Sequence, residues 1–131
     1  MVPRGDIPRR LRRYPRVPAR PGLEVREARG FRARLVGLAG LRVPRSGLGL
    51  LLPGTRSAHT FGMRFDLDLV WLDRAGSVVR VDHRVPPARL RSCRRAAALL
   101  ELRAGHAAEA GLPRGALVLA GPPRARARRG Q

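Results

Sequence analysis

Residues 66–83 read DLDLVWLDRAGSVVRVDH, and this stretch decides the fold. Side chains alternate between the two faces of a strand. Over residues 66–72, Leu67, Leu69 and Trp71 therefore share one face, and Asp66, Asp68, Val70 and Leu72 share the other. Asp73-Arg74-Ala75-Gly76 is turn chemistry, with Gly76 free to take a positive φ. Residues 77–83 return as a second strand, with Val79 and Val81 on one face. Two such runs joined by a short turn predict a β-hairpin.

Toward the N-terminus, the apolar run GLGLLL at 47–52 stops at Pro53-Gly54, which predicts a buried strand. Residues 23–28 alternate apolar and charged, a short strand broken by Gly30. Phe31, Leu35, Leu38 and Leu41 follow at helical spacing, with Gly37 and Gly40 weakening that helix and Pro44 ending it. Toward the C-terminus, Pro86-Pro87 holds residues 85–91 as a loop. Residues 96–102 form an apolar strand or helix. Residues 104–111 form one short helix stopped by Gly111, and residues 116–120 form a last strand. The pattern is α+β and mainly β, with one or two short helices.

The chain has 131 residues, 44% of them hydrophobic, enough for one domain with its own core. The net charge is +19, and every basic residue is an arginine. A polyanionic partner and the codon bias of a GC-rich, bacterial-type genome both account for that composition. Residues 1–21 hold five prolines and seven arginines and predict a disordered basic arm. A start codon assigned too far upstream would produce the same arm. Residues 122–131, PPRARARRGQ, predict a second basic tail, which leaves 22–121 as the domain. Cys93 stands alone, so no disulfide forms within the chain, and no Cys/His cluster has metal-ligand spacing. No apolar run reaches the ~20 residues of a membrane-spanning helix. The N-terminus lacks the apolar stretch of a secretory signal. The expected compartment is the cytoplasm.

Several pieces then fall into one order. Gly37-Leu38 precedes the apolar strand at 49–52. The polar segment 59–63 precedes Asp68, and the turn 73–76 closes the hairpin. The late apolar strand at 99–102 leads to the glycine-flanked helix at 105–111 and to Gly111-Leu112 with Gly115. Over residues 23–120 this order resembles the domain of unknown function 192 family. The resemblance implies a compact, barrel-like antiparallel β core with short helices packed on it. The chain departs from the family in two places. Ala116 stands where members usually carry an aspartate, and HTFGMR stands where many carry a tryptophan-containing segment.

The densest run of versatile side chains is SAHTFGMR at 57–64, followed by Asp66 and Asp68. The candidate binding residues are His59, Thr60, Met63, Arg64 and Asp68. Asp66 and Asp68 share a strand face about 6–7 Å apart, which suits acid–base work or a cation. Against this, Asp68 can accept backbone N–H bonds beneath a loop, and Met63 and Phe61 can be core. His59 has a side chain that titrates near neutrality, but His83 and His106 lie in other elements. Cys93 lies among Arg91, Arg94 and Arg95, which would lower a thiol pKa if it were exposed. No phosphate-binding glycine loop, Gly-x-Ser-x-Gly elbow or HExxH occurs, so no cofactor or metal is expected. Three functions remain open. They are a non-catalytic module that binds a small ligand or partner segment, an accessory nucleic-acid binder acting through arginine-rich tails, and a hydrolase using His59 and Asp68.

Overall fold

The LDLVWL run forms β5 (Leu67–Leu72), and all six of its residues are buried. A strand covered on both faces reads as a near-continuous apolar run, and Asp68 is the one break in it. This is a computed structural model, and it describes residues 8–30, 37–42 and 47–120. Beside β5, in antiparallel register from Leu67↔Arg103 to Leu72↔Ala98, lies β8 (Ala98–Arg103). Residues 96–102, which local pattern leaves between strand and helix, are therefore a central strand. On its other side β5 pairs with β6 (Val78–Val85), the expected hairpin.

The remaining strands extend this sheet. β8 pairs antiparallel with β3 (Leu48–Pro53), and β3 pairs parallel with β2 (Glu24–Glu27). β2 pairs antiparallel with β1 (Arg16–Val17). A separate two-stranded ribbon joins β4 (Ser57–His59) to β7 (Leu90–Ser92). Among the described residues two single-turn helices accompany the strands, α1 (Arg9–Arg12) and α2 (His106–Glu109).

Alternation along the central strands produces two cores. Leu50, Leu52, Leu67, Leu69, Trp71 and Leu99 face one side, roofed by Leu11, Leu38, Met63 and Cys93. Val25, Leu51, Val70, Leu72, Leu100 and Leu102 face the other, roofed by Ala107, Leu112 and Val118. Each fully buried leucine or valine contributes roughly 1.5–3 kcal/mol. Gly49 has no room for a side chain, since a Cβ there would lie 2.8 Å from both Leu100 Cδ1 and Leu102 Cδ2.

The sheet is barrel-like without closing. Its order is β1-β2-β3-β8-β5-β6, so β1 and β6 are its edges. Residues 116–120, expected as a strand, span those edges through two isolated bridges, Ala19↔Leu119 and Ser77↔Leu117. Arg20 N donates to Val118 O (2.8 Å) and Val78 N to Ala116 O (2.9 Å). The segment clamps both edges but ladders with neither.

Three further readings change. Val79 and Val81 do not share a face. The pairing runs Trp71↔Arg80 and then Leu72↔Val78, so β6 carries an extra residue. Such a bulge reverses facing, and Val79 packs on the first core and Val81 on the second. Residues 85–91 are partly strand, as β6 runs to Val85 and β7 begins at Leu90. Residues 8–21, assigned by composition to an arm, pack on the domain. Leu11 is fully buried, and Arg10 Nη2 donates to Gly37 O at 2.7 Å. The helical stripe at 31–36, and the ends 1–7 and 121–131, lie outside the described residues. No described helix is long and apolar enough to cross a membrane.

Candidate functional site

Among the described residues, four polar side chains are buried: Thr60, Asp68, Glu101 and His106. Each satisfies a loop. Asp68 points to the face of β5 opposite Leu67 and Leu69. Its Oδ1 accepts from Arg84 N at 3.0 Å, and its Oδ2 accepts from Ala107 N at 3.0 Å. A second bulge in β6 explains the first bond: the register shifts between Leu67 and Leu69, and Arg84 takes φ 50°. That frees its N–H from the ladder, and Asp68 receives it. The second bond pins the first turn of α2. A carboxylate holding two backbone N–H groups beneath loops is a structural anchor.

Thr60 Oγ1 donates to Pro86 O (2.7 Å) and accepts from Arg89 N (2.8 Å), which ties the end of β4 to the start of β7. Met63 lies in the first core. Arg64 is exposed. His59 ends β4 opposite Leu90, half-buried, with its ring 5.8 Å from that of Phe61. Its Nδ1 is buried and has no hydrogen-bond partner among the described residues. His59 and Thr60 thus belong to the ribbon over the first core, while Asp68 points into the second. The structure brings His59, Thr60 and Phe61 together and places the central sheet between them and the Asp68 carboxylate.

His106 Nε2 accepts from Gly47 N at 2.7 Å. Burial lowers its pKa, opposed next by Glu109, with Arg103 lowering it further and Asp68 raising it least. Glu101 Oε1 accepts from Leu38 N at 3.2 Å. Burial raises its pKa to about 7, against lowering by the Leu38 hydrogen bond and by Arg10. Among the described residues no cluster of three His, Cys, Asp or Glu side chains could hold a metal. Cys93 is buried in the first core.

The unpaired charge lies elsewhere. Residues 54–65 and 84–100, which include the whole ribbon, hold seven arginines and no carboxylate. At the end of the ribbon where β4 begins, a groove of about 730 Å³ is lined by Arg56, Arg74, Arg94, Arg95 and Asp73. Backbone bonds stitch its three loops together. Cys93 N donates to Arg56 O (2.7 Å), Ala97 N to Leu72 O (2.7 Å) and Gly54 N to Ala97 O (2.8 Å). At the other end of the ribbon, Phe61 and Leu90 are exposed, at 51% and 70%. Sequence reading missed the groove. Arg94 and Arg95 drew notice only as neighbours of Cys93, and Arg74 only as a turn residue. The available signal was the run of residues without acids.

A family profile described as an uncharacterized ACR, the domain of unknown function 192, matches residues 17–119. The chain belongs to this family. No curated protein matches it. Among solved structures it is similar to a candidate transcription regulator from Sinorhizobium meliloti 1021, with 22% identity and a TM-score of 0.67 over 78% of this chain and 91% of that one. It is also similar to a protein of unknown function from Novosphingobium aromaticivorans DSM 12444, with 18% identity and a TM-score of 0.67 over 79% of this chain and 81% of that one. At these identities the likeness is one of fold.

Proposed function

We propose that this member of the domain of unknown function 192 family is a non-catalytic module that binds an anionic, phosphate-bearing ligand on the β4–β7 ribbon and its flanking loops. The observation that carries the reading is the seven arginines and no carboxylate over residues 54–65 and 84–100. Such a surface concentrates anions and steers them in. The binding module is favoured over a hydrolase because the Asp68 oxygens are both engaged by backbone N–H groups, with the sheet between them and His59. The same reading keeps His59 and Arg64 as contact residues beside the ribbon, with Thr60 and Met63 as its supports. It places the protein in the cytoplasm, where the lone thiol of Cys93 stays reduced.

The test is a salt titration with a short oligothymidylate followed by fluorescence anisotropy. Four phosphate contacts on a single strand predict affinity about 50-fold weaker at about 200 mM salt than at about 50 mM. Replacing Arg56, Arg91 and Arg94 with glutamine removes most of that dependence. Replacing Arg124, Arg126, Arg128 and Arg129 instead leaves it in place. The reverse pattern would move the function to the tail, and salt-independent binding would overturn the anionic reading.

A further inference from the structure

We infer that the groove at the Arg56 end of the ribbon is a site for a compact ligand carrying two or more linked phosphate groups. This rests on the anion-binding reading above and adds the chemistry of the ligand.

The four guanidinium groups arrive from three separate connections. Arg56 comes from β3–β4, Arg74 from the β5–β6 turn, and Arg94 and Arg95 from β7–β8. All four side chains are exposed. Some arginines elsewhere on the domain meet carboxylates: Arg26 with Glu24, Arg29 with Glu27, Arg80 with Asp82, and Arg103 with Glu109. None of the four groove arginines has an ion pair or a side-chain hydrogen bond among the described residues. The one acid in the groove forms no ion pair with them among the described residues, and its charge offsets only one of the four. Asp73 Oδ1 accepts from Ala75 N and Ser77 N at 2.9 Å each, which shapes the turn.

Gathering four like charges in one concavity opposes folding unless an anion offsets it. Guanidinium groups present paired donors that match phosphate oxygens two at a time. One phosphate group carries about −2 at neutral pH and leaves part of the groove's positive charge unmatched, whereas two or three linked phosphates can match it. The volume falls within the ~300–1,000 Å³ of small-ligand sites. The remaining lining is glycine and alanine with no aromatic ring. No surface for base stacking is present, so the phosphate chain itself is recognised.

Isothermal titration of the full chain with inorganic tripolyphosphate, and separately with orthophosphate, tests the inference. Tripolyphosphate is expected to bind at least about tenfold more tightly than orthophosphate and to raise the melting temperature. Arg74→Ala lies off the ribbon and on an exposed turn. It is expected to weaken tripolyphosphate at least about fivefold, and to weaken oligothymidylate, which also runs along Arg91, by a smaller factor. If oligothymidylate binds and tripolyphosphate does not, or if the two phosphates bind equally, the linked-phosphate site is overturned and the anionic surface stands. If neither probe binds, the anionic surface fails as well.

Discussion

Glu101 is the least expected residue in the molecule, a carboxylate on the central strand β8, 2% exposed, with Leu38 N as donor. Gly37 makes room for it, since a Cβ there would lie 2.5 Å from Glu101 Oε1. Its pKa rises from 4.5 to about 7 because burial penalises the charged form. The fold therefore binds this proton more tightly than the unfolded chain does. The associated stability is fully present below about pH 4.5 and is lost as pH rises through about 7, on the order of 3 kcal/mol in all. Glu101→Gln should remove this slope and raise stability at pH 8 by on the order of 2–3 kcal/mol in urea unfolding. A variant no more stable than the parent at pH 8 would show that the carboxylate is better solvated than its burial implies. His106 acts in the opposite sense. Its pKa is lowered, so its contribution is present above about 6.5 and is lost as pH falls. Asp68 holds two N–H groups from different elements, and Asp68→Ala should cost about 2–4 kcal/mol by leaving both unsatisfied. Asp68→Asn should cost less, because its remaining oxygen still accepts. Equal losses in the two variants would mean that only the charge matters.

At the scale of elements, the sequence displays the apolar central strands well, and the short outer strands and the register poorly. Alternation over residues 67–72 placed Leu67, Leu69 and Trp71 on one face, and the structure agrees. The same logic failed for Val79 and Val81, because a bulge belongs to a pair of strands and leaves no mark on either alone. The bulges are consequential. One exposes Arg84 N to Asp68, and the other turns Arg80 over Trp71, with its guanidinium carbon 5.7 Å from the ring centre. Arg80 also holds Asp82, whose Oδ2 accepts from Trp71 Nε1 at 3.0 Å. The loop from β6 to β7 carries backbone strain at Ala88, an exposed alanine at φ 64°. A left-handed conformation costs a non-glycine residue about 1–2 kcal/mol, partly offset in a glycine variant by the greater freedom of the unfolded chain. Ala88→Gly should therefore raise stability by about 0.5–1 kcal/mol, seen as a melting point a few degrees higher. An unchanged or lower melting point would mean that the loop relaxes without strain.

For the molecule as a whole, the main question is where the domain begins. Composition placed residues 1–21 outside it, and the structure packs residues 8–21 onto both the sheet edge and the first core. Leu11→Ala should cost about 2–5 kcal/mol, the range for a fully buried leucine, measured by chemical denaturation of the full chain. A cost below about 0.5 kcal/mol, the size of an ordinary surface change, would return the segment to the arm. The sequence alone determined the mainly β class, the hairpin, the faces of β5, the family and the absence of acids along the ribbon. These follow from local chemistry and short periodicities. Tertiary structure decided that the sheet stays open with residues 116–120 across its edges, that Leu11 is core, that Asp68 is an anchor, and that arginines from three connections line one groove. Each of these depends on groups far apart in the chain meeting in space. A side chain's cost or benefit there is set by the partners it meets, and its own residue type does not name them.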